Sequence, residues 1–351
     1  MNKHKPKIAV LFGGCSPEYG ISLKSAYNVI THIDTAGYDI VPLGITQAGQ
    51  WFLFDGDADK ILEDTWHNPS DCTRAIISPD RDDRGVLVFT KNGVRTITLD
   101  AAMPVLHGKN GEDGTVQGLL ELAGIPIVGC NTATSALCMD KYKTHRIVKA
   151  HGIRAASSFV LTNTAYIPAY IDKAEELGYP LFVKPVRAGS SHGITKAACK
   201  NQLTDAISLA FQYDDQVIIE ENIDGIEVGC AILGNDDLIV GCVDEIELAK
   251  GFFDYHEKYT LETSAIHVPA RISAQKAWEI KETAKIIYKV LGCTGFARVD
   301  MFLTPAGEIF LNEVNTIPGF TMGSRFPNML KTLGMNFEEI VGKIIELTVA
   351  P

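Results

Sequence analysis

Blocks of apolar and polar residues alternate at the start of the chain. KIAVLFG (residues 7–13) is a continuous apolar run that ends in a glycine pair, which predicts a buried strand. Apolar residues recur at helical spacing over residues 22–32, and IVPLGI (residues 40–45) predicts the next strand. This order of strand, helix and strand is typical of a parallel sheet, which we expect to extend to about residue 130.

Residues 55–100 interrupt this order because they are more polar. They predict an irregular excursion from the sheet. The excursion contains one predicted hairpin, VLVFTKNGVRTITL, whose turn is marked by Asn92 and Gly93.

Strand and helix patterns alternate at shorter intervals beyond residue 133. A helix is predicted over residues 134–152, with Thr134 as its N-cap and Gly152 at its end. Further predicted helices lie near residues 166–177, 202–211 and 274–291 and after Phe337. A chain of 351 residues is also long for one core. We therefore expect an α/β and α+β multidomain protein with an N-terminal parallel-sheet domain (1–132), a central domain (133–223) and a C-terminal domain (224–351).

The composition is that of a globular protein without a membrane segment. Hydrophobic residues make up 46% of the chain and charged residues 21%. No run approaches the roughly 18 apolar residues that a membrane helix requires. The N-terminus, MNKHKPKIAVLFGG, is basic, but its apolar run is short and no cleavage site follows it. We therefore expect no signal peptide and a cytoplasmic protein.

Charge and cysteine content argue against further classes of protein. The chain has 43 acidic and 32 basic residues, a net charge of -11 and no basic stripe, so we expect no binding to nucleic acid. Its eight cysteines include no C-x-x-C pair, which argues against a zinc site and against a disulfide framework. We expect reduced, mostly buried thiols.

A hairpin is predicted near the C-terminus. GFARVDMFL (residues 295–303) and EIFLNEVN (residues 308–315) flank a turn that we centre between Ala306 and Gly307. In a hairpin without a bulge, directly opposed residues point to the same side of the sheet. This register predicts two opposed pairs on one side, Asp300 with Glu313 and Arg298 with Asn315.

Two directly opposed acids repel each other unless positive charge lies between them. Asp300, Glu313 and Asn315 offer the hard oxygen ligands that Mg²⁺ takes together with phosphate oxygens and water, so we expect a metal site here. A structural salt-bridge cluster in which Arg298 neutralises both acids is the alternative. The apolar residues predicted for the buried face of the hairpin are Val299, Met301, Phe310 and Val314.

A loop of small residues follows a predicted strand in LFVKPVRAGSSHGI (residues 181–194). The strand delivers Lys184, and the loop contains Ser190 and Ser191. Small residues let backbone N–H groups approach a phosphate, although an ordinary turn between two strands explains the same composition. The loop is not a Walker A motif, because G-x-x-x-x-G-K-[ST] is absent.

Acids and lysines elsewhere are ambiguous when each is taken alone. Glu220 ends a predicted strand and Glu227 follows it, so these acids can accept from an adenine amino group and from ribose hydroxyls. Solvated turn acids are the alternative interpretation. Lys141, in MDK, and Lys258, in HEKY, gain meaning only in combination with the other motifs.

The order of these motifs is more informative than any one of them. GGCSPE, LHGKNGEDGTVQG, MDK, VKPVRAGSSHG, EE before a glycine, KY, RVD and NEVNTIPGFT follow one another along the whole chain. This ordered set strongly resembles the D-alanine-D-alanine ligase family of ATP-grasp enzymes, and within it the vancomycin-resistance D-alanine-D-serine ligases. The resemblance implies an ATP-grasp fold behind an N-terminal pre-ATP-grasp domain, and a homodimer.

The resemblance also implies the cofactors and where they bind. ATP would lie between the central and C-terminal domains. Asp300, Glu313 and Asn315 would hold two Mg²⁺ ions, or Mn²⁺ in their place. The residues implied to contact ATP are Lys141, Lys184 and Lys258 at the phosphates, Glu220 at the adenine, Glu227 at the ribose, and Ser191 and Glu221 beside them.

The implied reaction has two steps. The γ-phosphate of ATP passes to the carboxylate of D-alanine, and the amine of a second amino acid then attacks the acyl phosphate. Glu18 would hold the ammonium of the first D-alanine, with His107 close to it. Arg298 and the backbone N–H of Gly319 would stabilise the negative charge that develops.

A lid over residues 248–264 is implied as well. Ser190 and Tyr259 would form a hydrogen-bonded triad with Glu18 that closes over the substrates and excludes water. Ligases that prefer D-lactate typically carry histidine where this chain has Tyr259, so D-lactate is disfavoured as the second substrate.

The second substrate is predicted from the end of the segment NEVNTIPGFTMGSRFP (residues 312–327). Ser324 would bind the carboxylate of the acceptor, and Arg325 follows it where housekeeping ligases usually have an apolar residue. An arginine beside a small pocket can donate to a hydroxyl, which favours D-serine over D-alanine. The resemblance thus implies a ligase for altered peptidoglycan precursors and vancomycin resistance.

Three other functions stay open at this stage. A housekeeping D-alanine-D-alanine ligase differs only in its acceptor. Another ATP-grasp carboxylate-amine ligase would share the lysines and the metal-binding acids, but would not require Glu18 or LHGKNGED. A non-catalytic ATP-binding protein would be expected to lack a metal ligand or Arg298, and all of these residues are present.

Overall fold

The computed structural model describes residues 5–162, 167–189, 192–248 and 264–349. Within these ranges the chain forms three β-sheets with helices packed on them. The residues Ser190, Ser191, Lys258 and Tyr259 lie outside the described ranges, as does the predicted lid apart from its end residues. None of the helices in these ranges combines the length and apolar character needed to cross a membrane.

The N-terminal sheet has the strand order β6-β5-β4-β3-β2-β1-β7. The predicted parallel core is confirmed, since β1 pairs in parallel with both β2 and β7. The strands from β2 to β6 pair antiparallel, so the second half of the predicted irregular excursion is instead regular sheet, and the hairpin predicted within it is confirmed as β5–β6. The strands are β1 Lys7–Gly13, β2 Asp39–Ile45, β3 Trp51–Phe54, β4 Cys72–Ile77, β5 Gly85–Thr90, β6 Gly93–Thr98 and β7 Ala101–Pro104.

Connection length explains the change from parallel to antiparallel pairing. Residues 46–50 join β2 to β3 through a turn in which the N–H of Thr46 donates to the carbonyl of Gln50. So short a segment cannot carry the chain back to the start of a parallel neighbour. Longer connections carry the helices of this region, which are α1 Tyr19–His32, α2 Asp59–Leu62 and α3 Thr115–Leu122.

The predicted helix over residues 134–152 is two helices. Asn131, rather than Thr134, is the first N-cap, because its side chain accepts from the N–H of Thr134. Asp140 adopts an extended backbone and caps the second helix by accepting from the N–H of Lys143. Gly152, at φ +79°, follows the second helix as predicted. The helices are α4 Thr132–Met139 and α5 Lys141–Ala150.

The central sheet is antiparallel, with the order β11-β10-β12-β9. In its register Phe182 lies opposite Glu220, so Phe182, Lys184 and Glu220 share one face. The other face is apolar and packs on two helices. These elements are β9 Ser158–Leu161, α6 Ile167–Leu177, β10 Leu181–Pro185, β11 Thr195–Ala197, α7 Lys200–Ala210 and β12 Val217–Glu221.

The C-terminal sheet has the order β15-β14-β13-β16-β17-β8. Helix α8 covers one face, and α10 packs in one core with residues of α1 and of the N-terminal sheet. The two-residue strand β8 joins this sheet in parallel with β17. The elements are β8 Arg154–Ala155, β13 Ile226–Leu233, β14 Ile239–Leu248, β15 Ser264–His267, α8 Ala274–Val290, β16 Phe296–Leu303, β17 Ile309–Asn315, α9 Arg325–Lys331 and α10 Phe337–Val349.

The β16–β17 hairpin has the predicted register at Asp300 and Glu313, but it is not free of bulges. Its loop is closed by the N–H of Thr304, which donates to the carbonyl of Glu308, with Gly307 at φ +81°. This loop of odd length offsets the pairing by one residue relative to the prediction. An irregularity next to Asp300 shifts the register back, and the two offsets cancel.

Because of this bulge, the prediction for the buried face of the hairpin is wrong at one position. Met301 pairs with Leu311, which is 1% exposed and belongs to the core. Phe310 instead pairs with Phe302 and is half-buried. The other three predicted core residues, Val299, Met301 and Val314, are buried.

All eight cysteines are described and free. Cys130, Cys138, Cys230 and Cys293 are buried. Cys15 and Cys199 are exposed.

Candidate functional site

Two cavities meet between the sheets. The larger has a volume of about 400 Å³ and the smaller about 220 Å³. Lys141, Ala188 and Glu313 line both, so the cavities form one continuous cleft. Lys141 Nζ donates to the carbonyl of Ala188 at 2.8 Å and lies 3.8 Å from Glu313 Oε2, which places a cation at the junction.

The smaller cavity is a slot with apolar walls and charged ends. Phe182 lines it from the central sheet, and Phe302 and Leu311 line it from the C-terminal sheet. Lys184 Nζ lies 2.7 Å from Glu220 Oε2 on the face predicted by the β10–β12 register. The slot can therefore hold a flat apolar group with a polar edge.

Glu220 is 3% exposed, and its two carboxylate oxygens are in different situations. Burial raises its pKa, but the charge and hydrogen bond of Lys184, together with the charge of Lys141, outweigh burial, and the pKa ends below its usual value. Oε2 forms an ion pair with Lys184, whereas Oε1 is buried and has no hydrogen-bond partner among the described residues. A buried acceptor without a donor indicates a place for a ligand N–H or a water.

Two further acids line the smaller cavity. Glu221 Oε1 accepts from the N–H of Ser157 at 2.7 Å. Glu227 Oε1 accepts from Arg325 Nη1 at 3.1 Å. Both side chains border the slot, as does Asp224.

Arg298 and Asp300 form a close ion pair at the base of the larger cavity. Arg298 Nε lies 2.8 Å from Asp300 Oδ1, and Nη2 lies 2.7 Å from Oδ2. Asn315 Nδ2 also donates to Asp300 Oδ2, at 2.9 Å. Burial alone would lower the pKa of Arg298, but Asp300 raises it above the usual value, so the guanidinium stays charged. Arg298 therefore neutralises Asp300, one of the two acids that the alternative salt-bridge interpretation assigned to it.

The three predicted metal ligands come together at one end of the β16–β17 hairpin. Glu313 and Asn315 line the larger cavity, and Asp300 lies 1% exposed behind them. No cluster of three or more His, Cys, Asp or Glu side chains arranged for a metal occurs in the part of the chain that the structure describes. The set is instead two carboxylates and one amide, which suits Mg²⁺ when phosphate oxygens and water complete its shell.

Glu18 enters the larger cavity from the N-terminal end of α1 and is 7% exposed. Two glycines let it fit. A β-carbon at Gly108 would lie 2.4 Å from Glu18 Oε2, and one at Gly189 would lie 2.7 Å from the same atom. Only glycine hydrogens allow this approach, so the start of the glycine loop lies against the Glu18 carboxylate.

His107 connects the N-terminal sheet to the loop after β17. Its Nδ1 lies 3.0 Å from the carbonyl of Ile317, so Nδ1–H donates and Nε2 accepts from Ser25 Oγ at 3.3 Å. Ser25 Oγ in turn accepts from the N–H of Phe320 at 3.3 Å. Burial lowers the pKa of His107, which favours this neutral form. His107 therefore holds the loop against α1 and lines the larger cavity.

Glu112 also lines the larger cavity, and the sequence reasoning did not single it out. Its Oε2 accepts from the N–H of Gly108 at 2.7 Å. Burial and then the negative charge of Glu18 raise its pKa to about 8. Its position in the quoted motif LHGKNGED was the available signal, but nothing in the sequence showed that it would lie near Glu18.

The loop between β17 and α9 forms one wall of the larger cavity. Ser324 Oγ accepts from the N–H of Thr321 at 3.0 Å and lies 2.8 Å from Thr321 Oγ1. A β-carbon at Gly319 would lie 3.1 Å from Ser324 Oγ, so Gly319 and Ser324 pack closely. All three residues line the cavity.

Arg325 is the first residue of α9 and is held by three acids. Its Nε lies 2.7 Å from Asp244 Oδ2 and its Nη2 2.9 Å from Asp244 Oδ1. Asp300 Oδ1 is 3.4 Å from Nη2, in addition to the bond from Nη1 to Glu227. Arg325 was expected to face the acceptor. It lines the larger cavity, but Nε and Nη2 are bound to Asp244, which the sequence reasoning missed.

Gly229 makes room for this cluster on β13. A β-carbon there would lie 2.5 Å from Arg325 Nη2, 2.7 Å from Asp244 Oδ1 and 2.9 Å from Asp300 Oδ1. Real β-carbons do not approach polar atoms so closely, so the position requires glycine.

Comparison with known proteins agrees with this geometry. The family model described as "D-ala D-ala ligase N-terminus" matches residues 7–130, and the one described as "D-ala D-ala ligase C-terminus" matches residues 147–346. The crystal structure of the VanG D-Ala:D-Ser ligase from Enterococcus faecalis superposes with a TM-score of 0.92 at 53% identity, over 98% of this chain and 99% of that one.

Two curated relatives are similar over nearly their full lengths. The vancomycin C-type resistance protein VanC1 of Enterococcus gallinarum is 44% identical over 97% of this chain and 98% of its own. A putative D-alanine–D-lactate ligase of Streptomyces coelicolor is 44% identical over 97% of both chains. The resemblance inferred from the motifs is therefore confirmed, and so is the ATP-grasp fold.

Proposed function

Because the chain belongs to the D-alanine-D-alanine ligase family, we propose that it is an ATP-dependent ligase that joins D-alanine to D-serine through D-alanyl phosphate. The relatives include proteins whose names specify different acceptors, so the family alone fixes a D-alanine-D-X ligase. The choice of D-serine depends on the cavity wall at Arg325.

ATP is proposed to place its adenine in the smaller cavity and its phosphates at the junction of the two cavities. The slot between Phe182 and Phe302 suits a purine ring, and the unpaired Glu220 Oε1 suits its amino group. Lys141 and Lys184 then face the phosphates. Glu227 and Glu221 border the path between them, near the ribose.

Mg²⁺ is proposed to bind at Asp300, Glu313 and Asn315, as two ions. When bound, it would offset the charge on phosphate oxygens during transfer. The chain's own contribution is the positive charge of Arg298, which is fixed by two bonds to Asp300 and cannot turn away. A charge fixed before the reaction stabilises a developing anion without reorganisation.

The first D-alanine is proposed to bind in the larger cavity between Glu18 and Arg298. Glu18 would receive its ammonium, while Arg298 and the N–H of Gly319 would face the carboxylate that is phosphorylated. His107 would hold the loop that contains Gly319 at the correct distance through its bond to Ile317.

D-serine is proposed as the acceptor because a charged pair borders its subsite. Ser324 would bind the acceptor carboxylate. Arg325, kept in place by Asp244, brings polar atoms to the wall where a side-chain hydroxyl would lie. The hydroxyl of D-serine can form a hydrogen bond with this polar wall, whereas D-alanine presents only a methyl group to it, which favours D-serine. This buried pair beside Ser324 is the observation that carries the proposal.

Further assignments follow from the family and stay proposals. The domains are proposed to span residues 1–132, 133–223 and 224–351, and the protein to act as a cytoplasmic homodimer in resistance to vancomycin. Ser190 and Tyr259 are proposed to close the site with Glu18, and Ser191 and Lys258 to contact ATP.

The test is product analysis with D-alanine supplied together with equal D-serine and D-lactate. We expect D-alanyl-D-serine to dominate over the depsipeptide and over D-alanyl-D-alanine. If D-alanyl-D-alanine is the main product, the protein is a housekeeping ligase and the proposal of D-serine as acceptor is wrong. Phosphate release that is no faster with the amino acids than with ATP alone would exclude ligase activity.

A further inference from the structure

His145 on α5 lines the smaller cavity beside Glu220 and is 2% exposed. Its Nδ1 lies 3.4 Å from Glu220 Oε1. Neither atom has a hydrogen-bond partner among the described residues, and both are buried. Two buried polar atoms left unpaired side by side in one cavity require a common explanation, since each costs free energy in that state.

The tautomer of His145 follows from its other nitrogen. Nε2 lies 2.8 Å from the carbonyl of Asn312, and a carbonyl only accepts, so Nε2 carries the hydrogen. Burial lowers the pKa of His145 despite the nearby Glu220, which favours the neutral ring. Nδ1 then carries a lone pair and can only accept a hydrogen bond. It faces Glu220 Oε1, which also only accepts, so two acceptors lie together without a donor.

We infer that His145 Nδ1 and Glu220 Oε1 jointly accept the two hydrogens of the exocyclic amino group of the nucleotide base, and that His145 thereby selects a 6-aminopurine over a 6-oxopurine. An amino group carries two N–H donors, which match two neighbouring acceptors. A 6-oxo group would bring a third acceptor to the same place. The inference rests on the proposed placement of ATP in the smaller cavity.

His145→Gln removes the acceptor while keeping the contact with Asn312. The glutamine amide can donate to the Asn312 carbonyl much as Nε2 does, but no acceptor remains at the position of Nδ1. His145→Asn is the reciprocal variant, because its side chain reaches only as far as Nδ1 and can present an oxygen there. His151→Gln, at an exposed site following the same helix, is the matched control.

Binding is measured by isothermal titration calorimetry with three nucleotides: ATP, inosine triphosphate and purine riboside triphosphate, which has no group at position 6. We expect His145→Gln to weaken ATP binding by about 5- to 10-fold, as for one lost hydrogen bond. Its affinity for purine riboside triphosphate should be unchanged, and its preference for ATP over inosine triphosphate should narrow. His145→Asn should keep more of that preference than His145→Gln, and His151→Gln should bind like the wild type.

The outcomes separate this inference from the proposed function. If the wild type binds none of the nucleotides, the ATP-dependent ligase itself fails. If the wild type binds ATP but His145→Gln weakens ATP and purine riboside triphosphate equally, His145 only supports the fold and the inference is wrong. An unchanged ratio of ATP to inosine triphosphate affinity in His145→Gln would also overturn it.

Discussion

Arg325 and Asp244 form a two-point ion pair in the interior of the protein. Nε and Nη2 of Arg325 lie 2.7 and 2.9 Å from the two carboxylate oxygens, and Asp244 has no exposed surface. The pair joins the start of α9 to the middle of β14. Stability and acceptor choice should therefore depend on the same two side chains.

Arg325→Met should leave Asp244 buried without its main partner. The expected loss is about 3–5 kcal/mol in the free energy of unfolding, because an uncompensated buried charge is costly. Urea unfolding measures this loss. In product analysis the ratio of D-alanyl-D-serine to D-alanyl-D-alanine should fall by about tenfold, as the polar wall is replaced by an apolar one.

The double variant Arg325→Met with Asp244→Leu is the control for this loss, because it removes both charges together. It should recover part of the stability but none of the preference for D-serine. A preference unchanged in Arg325→Met would show that the acceptor is chosen elsewhere.

Gly229→Ala should disrupt the cluster around Arg325 from the side of β13. Its methyl group would meet Arg325, Asp244 and Asp300 at less than 3 Å, so these side chains must move. Overpacking of this kind costs about 1–3 kcal/mol. The melting temperature and the rate of phosphate release should both decrease.

Gly342→Ala is the matched control for that substitution. Gly342 lies inside α10, and nothing is within 4 Å of an added β-carbon. Alanine should stabilise this helix by about 0.5–1 kcal/mol and leave activity unchanged. Equal behaviour of the two variants would show that the space at Gly229 has no role.

Glu112 should make stability decline with rising pH. Its pKa is raised to about 8 in the folded protein from its ordinary value of 4.5, so the folded state holds its proton more tightly. The contribution of this proton to the free energy of unfolding is complete below about pH 4.5 and is lost as pH rises through about 8. Melting temperatures of the wild type and Glu112→Gln across this range measure it.

The Glu112→Gln variant should lack this part of the decline, since glutamine does not titrate. Glu63→Gln, at an exposed site outside both cavities, should follow the wild-type profile. Parallel profiles of Glu112→Gln and the wild type would mean that Glu112 does not hold a proton in this range.

Glu313→Gln should weaken the dependence of phosphate transfer on Mg²⁺ without unfolding the protein. The amide is nearly the same size but has lost the negative charge that a hard cation requires. Phosphate release is measured over a series of Mg²⁺ concentrations, and the half-maximal concentration should rise. Full activity at the Mg²⁺ concentration that the wild type requires would show that the hairpin acids form a structural salt-bridge cluster rather than a metal site.

The control for the metal-site variant lies on the same hairpin. Glu308→Gln changes an exposed carboxylate whose contact is Arg154. Exposed ion pairs contribute little, so both stability and the Mg²⁺ dependence should stay at the wild-type level.

Tyr259→His tests the predicted basis for rejecting D-lactate. If the tyrosine marks an amino-acid acceptor, as the family resemblance implies, the histidine variant should form more depsipeptide with D-lactate. Competition between D-lactate and D-serine measures the ratio of the two products. An unchanged ratio would show that Tyr259 does not determine the rejection of D-lactate.

The β16–β17 hairpin shows how far sequence reasoning reached. The opposition of Asp300 and Glu313 follows from two strands and a turn, all between residues 295 and 315, and it is confirmed. The loop length and the bulge were both missed, and their offsets cancelled. Between the bulge and the loop the register is still shifted by one residue, so Leu311 rather than Phe310 faces the core. Beyond the bulge the two offsets cancel, which is why Asp300 still pairs with Glu313.

The sequence alone determined the family, the ATP-grasp fold and the residue types along the cleft, because these follow from motif order and from local periodicity. Tertiary structure decided which of these residues meet. Arg325 and Asp244 are 81 positions apart, and Glu220 and His145 come from different elements. Such contacts depend on how three sheets pack against one another, and packing joins distant positions that no local pattern of residues specifies.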